Sequence, residues 1–116
     1  MKREFSMIRI VFGAPITARV QPLDGGVRVE IYGGTRPHIG AVSVADPEGK
    51  ITTREFSGHR EGVVTARWAE VFGGAGFSPA VILAGIHYDG SEHDDIRKVL
   101  AVVEDMLGDA VEQMKC

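Results

Sequence analysis

Cysteine is almost absent from this chain of 116 residues, since the only one, Cys116, is the last residue. An intrachain disulfide is therefore impossible, and one chain cannot assemble a zinc site from cysteines. This cysteine usage indicates a reducing compartment, and we expect the protein to be cytoplasmic.

Long apolar runs and clustered basic residues are also missing. No run approaches the ~18 residues that a membrane helix requires, and the start, 1–6, is not followed by the apolar core of a signal peptide. We therefore expect no membrane span and no export by such a signal. The formal net charge is −3, and the 13 basic residues are scattered along the chain. This distribution argues against a nucleic-acid partner.

Known catalytic signatures are lacking as well. The chain has no G-x-S-x-G elbow, no Walker loop and no G-x-G-x-x-G after a predicted strand. The run His59-Arg60-Glu61 is superficially similar to a kinase catalytic loop, but the aspartate is missing and the chain is far too short for that fold. Nothing in the sequence demands an enzyme.

The composition that remains is that of one folded domain. Hydrophobic residues make up 44% and charged residues 25% of the chain, so we predict a single α+β domain over 1–116. Short strands are predicted at 7–12, 16–21, 27–32, 39–45 and 50–56, with tight turns at Asp24-Gly25 and at 46–49. The strand at 27–32 is the clearest, because Val27, Val29 and Ile31 alternate with polar residues.

The second half changes to helical periodicity. A helix is predicted from about 60 to 72 and is expected to end at Gly73-Gly74. Residues 79–86 are almost continuously apolar, which predicts a strand buried on both faces in the middle of the sheet. Ser91 is the expected N-cap of a long amphipathic helix that reaches Met114.

The element order β-β-β-β-β-α-β-α predicts an α+β fold. We expect a mostly antiparallel sheet of about six strands with two helices packed on one face. The other face or an edge of the sheet then remains available for self-association, and we expect a homodimer.

The most chemically distinctive stretch is the turn at 33–42. Gly33 and Gly34 allow positive φ, and Pro37 stiffens the turn that displays Arg36 and His38. Such a turn can accept a phosphate or carboxylate through free N–H groups and a forked cation. The alternative is a hairpin loop with incidental polar residues.

Three polar clusters lie at predicted element ends, where loops of a sheet can converge on one rim. They are Arg36 with His38, the run His59-Arg60-Glu61, and the run His87-Tyr88-Asp89. The two basic residues of the second cluster oppose the helix dipole unless an anion lies beside them, which favours an anion site. In the alternative interpretation they point into solvent, where salt screens the cost.

Two further interpretations concern metal binding and the helix stripes. His87, Asp89, His93 and Asp94 are residue types that ligate metals, but their spacing matches no known motif, and an acidic first turn of a helix explains the carboxylates more simply. Trp68 and the aliphatic helix stripes are assigned to the core.

The chain resembles a known family in three of these stretches. The stretches 33–42, 58–61 and 85–90, and most specifically the run Pro37-His38-Ile39-Gly40-Ala41-Val42, look like those of the small prenylated-flavin chaperones, the D subunits associated with gallate decarboxylases. The resemblance implies a subunit that assists maturation of a decarboxylase using prenylated flavin mononucleotide (prenylated FMN). It also implies a fold similar to bacterial counterparts of proteasome-assembly chaperones. It supplies no residue roles.

We therefore chose the candidate site on physical grounds. A phosphorylated flavin needs cations for its phosphate, an aromatic surface such as Tyr32 or Tyr88 for its rings, and an apolar wall for the prenyl-derived part. The candidate cofactor-binding residues are Gly34, Arg36, His38, His59, Arg60, His87 and Tyr88.

The resemblance makes a prenylated-flavin-dependent decarboxylase the expected partner, with a flavin prenyltransferase as a second one. Two other functions stay open. One is an assembly module that binds protein and no small molecule. The other is a small enzyme using His38 or His87 as general acid or base, for which the sequence shows no orienting partner.

Overall fold

The computed structural model describes residues 3–56 and 61–116. The elements are β1 (Phe5–Val11), β2 (Ala14–Pro22), β3 (Val27–Gly34), β4 (Ala41–Ala45), β5 (Ile51–Glu55), α1 (Gly62–Gly74), β6 (Ala80–His87) and α2 (His93–Lys115). The predicted α+β class and element order are confirmed.

The six strands form one sheet in the order β1-β2-β3-β6-β4-β5. All neighbours are antiparallel except β3 and β6, which run parallel. Because β6 lies between β3 and β4, the segment that joins those two strands crosses the end of β6. The interpretation of this segment as a simple hairpin loop is therefore wrong.

Strand β3 shows why one face of the sheet forms the core. Val27, Val29 and Ile31 are buried, whereas Arg28 between them is exposed, as period-2 alternation requires. The buried side chains pack beneath α1, which lies over β4, β5 and β6, and α2, which lies over β1 and β2. The prediction of two helices on one face is confirmed.

Helix α1 begins two residues later than predicted and ends two residues later, at Gly74. Gly73 and Gly74 form the last two residues of the helix rather than the glycines just past its end, and the left-handed residue after the helix is Gly76, with φ +94°. The amide of Gly76 donates to the Gly73 carbonyl (3.0 Å), and the amide of Phe77 donates to the Phe72 carbonyl (3.0 Å). Together with the contact between the rings of Phe72 and Phe77, these bonds form a Schellman motif.

Helix α2 is capped by Glu92 rather than by the predicted Ser91. The backbone amide of Glu92 donates to Asp95 Oδ2 at 3.0 Å, so the two acidic residues form a capping box at the positive end of the helix. Neither helix in the described part of the chain has an apolar stretch long enough to cross a membrane.

The second face of the sheet has no helix over it among the described residues. Val81 and Leu83 of β6 lie on this open face and are only partly buried, so the prediction that β6 is buried on both faces is wrong for one copy of the chain. Its predicted position in the middle of the sheet is confirmed.

Candidate functional site

The sheet topology brings two of the polar clusters together. Gly34 at the end of β3 lies beside His87 at the end of the parallel strand β6. The connection to β4 must then pass over the end of β6. It places the ring of His38 6.5 Å from the ring of His87, measured between centroids.

Gly34 is required by close approach between two backbones. Its φ is +81°, and a Cβ at this position would overlap the His87 carbonyl group. That carbonyl accepts hydrogen bonds from the amides of Thr35 (2.7 Å) and Arg36 (3.2 Å). The expectation of free N–H groups is therefore wrong for these two residues, whose amides tie the turn to β6.

The carboxylate of Asp89 lies within hydrogen-bond distance of both Arg36 and His87. Its Oδ1 atom lies 3.0 Å from Arg36 Nε and 3.2 Å from His87 Nε2. The Asp89 amide donates to Thr35 Oγ1 at 2.8 Å, which holds the backbone in place. Desolvation raises the pKa of Asp89, but the Arg36 guanidinium and a hydrogen bond from Thr35 outweigh it, so the pKa lies below its usual value.

His38 is held between a carbonyl and a carboxylate. Its Nδ1 lies 3.0 Å from the Arg36 carbonyl oxygen, and its Nε2 lies 2.9 Å from Glu61 Oε1. A carbonyl can only accept, so Nδ1 is the donor in its contact with Arg36, and Nε2 faces the Glu61 carboxylate. The Glu61 side chain is only 14% exposed, and a Cβ on Gly40 would overlap its carboxylate. Glycine in the Pro37–Val42 run therefore makes room for this carboxylate.

Both histidines thus have an acidic partner. The sequence-based view that His38 and His87 lack orienting groups is wrong, since Glu61 faces one and Asp89 faces the other. In the sequence, Glu61 stood out only as a member of the second polar cluster. The contact between Glu61 and His38 arises because the segment after β3 crosses the end of β6. We call Arg36, His38, Glu61, His87 and Asp89 the polar rim.

An apolar cleft of about 380 Å³ opens beside the polar rim, between the start of α1, the end of β6 and the first half of α2. We call it the cleft. Its lining residues are Glu61, Val63, Val64, Ile86, His87, Tyr88, Ser91, Ile96, Val99, Leu100 and Val103. At its mouth Val63, Ile96 and Leu100 are exposed. The assignment of the whole helix stripe to the core is therefore wrong for Ile96 and Leu100, whereas Trp68 is buried as predicted.

The two tyrosines lie on opposite sides of the sheet. Tyr88 lines the cleft, and its buried hydroxyl donates to the Ala14 carbonyl at 3.0 Å. Burial raises the pKa of this hydroxyl. Tyr32 lines a separate cavity of about 260 Å³, together with Pro37, Leu83 and Gly85. Tyr32 therefore cannot contact a ligand in the cleft, and Tyr88 is the aromatic residue within its reach.

The structure gathers most of the predicted site residues at this one end of the sheet. Arg36, His38 and His87 belong to the polar rim, while Gly34 and Tyr88 support it. The predicted His59 and Arg60 lie outside the described residues. Sequence reasoning missed Asp89 as the common partner of two donors and missed the apolar mouth of the cleft.

The metal-binding alternative has no support in this arrangement. Within residues 3–56 and 61–116, no group of three or more histidine, cysteine, aspartate or glutamate side chains is disposed to hold a metal ion. His87 and Asp89 pair with each other, and His93 and Asp94 begin α2.

Comparison with known proteins agrees with the resemblance seen in the polar clusters. No curated protein matches the chain. The family model described as the prenylated flavin chaperone LpdD-like domain matches residues 12–115, and this match includes every strand and helix except β1. The chain therefore belongs to the prenylated flavin chaperone LpdD-like family.

Proposed function

We propose that this chain binds prenylated FMN in the cleft and delivers it to a decarboxylase that depends on this cofactor. The observation that carries the proposal is the junction of an apolar cleft with the polar rim. Membership of a prenylated flavin chaperone family supports the choice of ligand.

The cleft fits the apolar part of such a ligand. Its walls are mainly aliphatic, with the ring of Tyr88 at one side, and this surface suits the prenyl-derived ring and one face of the flavin. Its volume of about 380 Å³ lies near the lower end of the ~300–1,000 Å³ of ligand sites. The cleft would therefore enclose part of the cofactor and leave the rest at the surface, which suits a protein that must release its ligand.

The polar rim fits the anionic end. The Arg36 side chain is 72% exposed and can present its terminal nitrogens as a fork to a phosphate. His87 lines the cleft and faces the same side of the rim, so it can donate to the same group. The predicted contributions of His59 and Arg60, which directly precede Glu61 in the chain, stay predictions.

The exposed mouth of the cleft suits transfer of the ligand to a second protein. Val63, Ile96 and Leu100 present aliphatic surface around the opening, and apolar surface of this kind is stabilised when a partner covers it. We propose the decarboxylase as the protein that receives the cofactor and the flavin prenyltransferase as the protein that supplies it.

Binding is tested by coexpression with a flavin prenyltransferase and mass spectrometry of the copurified ligand. Leu100→Glu places a charge at the mouth of the cleft and should abolish copurification of the flavin. Leu23→Glu is the matched control, because Leu23 is similarly exposed (49% against 43%) but lies in the β2–β3 turn at the other end of the sheet. Absence of flavin from the wild type, or equal loss in both variants, contradicts the proposal.

The open face of the sheet favours a second role in assembly. Strands of five to nine residues, about 4.8 Å apart, make a face of roughly 600–700 Å², so two copies would bury about 1,300 Å², within the range of stable interfaces. Val42, Val44, Val81 and Leu83 form an aliphatic patch there, and we propose that a second copy of the chain covers it.

The homodimer is tested by the molar mass in solution. Leu83→Glu should convert a dimer into a monomer, whereas Leu100→Glu, on the helical side, should leave the mass unchanged. A wild-type monomer at high micromolar concentration contradicts the proposal. If no flavin binds at all, the assembly role alone remains, and alanine at Arg36 and His38 should then leave capture of the decarboxylase intact.

A further inference from the structure

Asp89 occupies the position that an anion would take in the polar rim. A single oxygen, Oδ1, lies within hydrogen-bond distance of both Arg36 Nε (3.0 Å) and His87 Nε2 (3.2 Å). Arg36 and His87 are also the two described residues that we propose bind the phosphate of the flavin. The carboxylate therefore engages the donors that the ligand needs.

We propose that Asp89 is an internal competitor for the phosphate of the flavin. In the empty protein its carboxylate bridges Arg36 and His87, and on binding the phosphate takes its place. The inference rests on the proposed function, because it assumes that the ligand places its phosphate at this rim.

The exchange is physically accessible because the bridge is at the surface. The Asp89 side chain is 51% exposed, and exposed ion pairs of this kind contribute little to stability. A phosphate carries more charge than a carboxylate and offers three oxygens to the Arg36 fork. The Asp89 amide is held by Thr35 Oγ1, so the carboxylate can rotate away while the backbone stays in place.

Once displaced, the carboxylate still lies close to the bound phosphate. Two like charges a few ångströms apart repel each other, so Asp89 lowers the affinity of the occupied state as well as competing in the empty one. Both effects act only on ligands that carry a phosphate. Asp89 thus weakens retention of the cofactor, which serves a protein that hands its ligand to an enzyme.

The test compares FMN with riboflavin, which lacks the phosphate, in wild type and in Asp89→Asn. Calorimetry at low salt should show that FMN binds about fivefold more tightly to the variant than to the wild type. This is the change expected when one of two like unit charges a few ångströms apart in water is removed. Riboflavin affinity should not change, and raising the salt to ~0.5 M should reduce the gain.

Two further variants isolate the cause. Asp24→Asn removes the same charge from the β2–β3 turn at the far end of the sheet and should leave FMN affinity unchanged. The double variant Arg36→Met with Asp89→Asn should not show the gain in FMN affinity, because it lacks the cation for which the Asp89 carboxylate and the phosphate compete. Thermal melting of each variant checks that it is folded.

Several results would overturn the inference: unchanged FMN affinity in Asp89→Asn, an equal gain for riboflavin, or an equal gain in Asp24→Asn. If the wild type binds prenylated FMN while Asp89→Asn has no selective effect, the proposed function stands and only the role of Asp89 fails. If no folded variant binds any of the three flavins, both fail together.

Discussion

The two ends of the sheet are built by different means. At one end, Leu23 and Gly26 close the β2–β3 turn by reciprocal backbone hydrogen bonds (3.0 and 3.1 Å), and the Asp46 carboxylate caps the turn between β4 and β5. At the other end, the segment after β3 is held by β6 and by Glu61, residues distant in the chain. Local contacts close the two turns at the first end, and contacts across the chain hold the segment after β3 at the second.

The difference explains where the candidate site lies. Turns closed by their own residues bring together residues that are already close in sequence. The crossover over β6 instead forces Arg36, His38 and His87 into one place and leaves the cleft beside them. The candidate site lies where the chain must travel between two strands that are consecutive in sequence but are not neighbours in the sheet.

The largest effect we predict separates two glycines with almost the same backbone. Gly34 and Gly25 have φ values of +81° and +80°, but a Cβ on Gly34 would overlap the His87 carbonyl, whereas a Cβ on Gly25 meets nothing within 4 Å. Gly25→Ala should therefore cost about 1 kcal/mol of unfolding free energy, and Gly34→Ala about 3 kcal/mol. Urea denaturation of both variants measures the difference, and equal costs would contradict the close packing at the site end.

An intermediate effect separates the two tyrosines. Tyr88→Phe removes a buried hydroxyl that donates to the Ala14 carbonyl and should cost about 1 kcal/mol of unfolding free energy. Tyr32→Phe should be close to neutral in the dissociated monomer, where the open face is in contact with water and water can replace the partners of the hydroxyl. Denaturant midpoints measured at a protein concentration low enough to dissociate a dimer give both costs, and a larger cost for Tyr32→Phe than for Tyr88→Phe would contradict the prediction.

The smallest effect is a dependence of stability on acid. The pKa of Asp89 is lowered in the folded protein, so its contribution to stability is fully present above the ordinary aspartate pKa of ~3.9 and is lost as pH falls through the lowered value. Melting temperatures between pH ~6 and ~2.5 should fall more for wild type than for Asp89→Asn. Asp24→Asn, at the opposite end, should follow the wild type, and identical curves for all three proteins would contradict the role of the Arg36 pair.

Features set by neighbouring residues were predictable. The alternation of Val27, Val29 and Ile31 defined β3, and Asp24-Gly25 formed the expected turn. Errors occurred where two local signals competed. Gly73, Gly74 and Gly76 all permit a helix end, and the packing of Phe77 on Phe72 selected Gly76.

The site was only partly predictable for a related reason. Polar residues at element ends identified Arg36, His38 and His87, but their partners depended on which strands became neighbours. Ile96 and Leu100 fit a helical apolar stripe equally well whether they are buried or line a cleft. Periodicity identifies an apolar face and does not say what covers it.

The amino-acid sequence by itself determined the order of strands and helices, the buried side of each, and the polar character of the turn after β3, because these depend on residues a few positions apart. Only the tertiary structure decided that β6 enters the sheet between β3 and β4. That choice depends on hydrogen bonds and burial between strand residues that are 35 to 53 positions apart in the chain. It places Asp89 between Arg36 and His87, and Glu61 against His38.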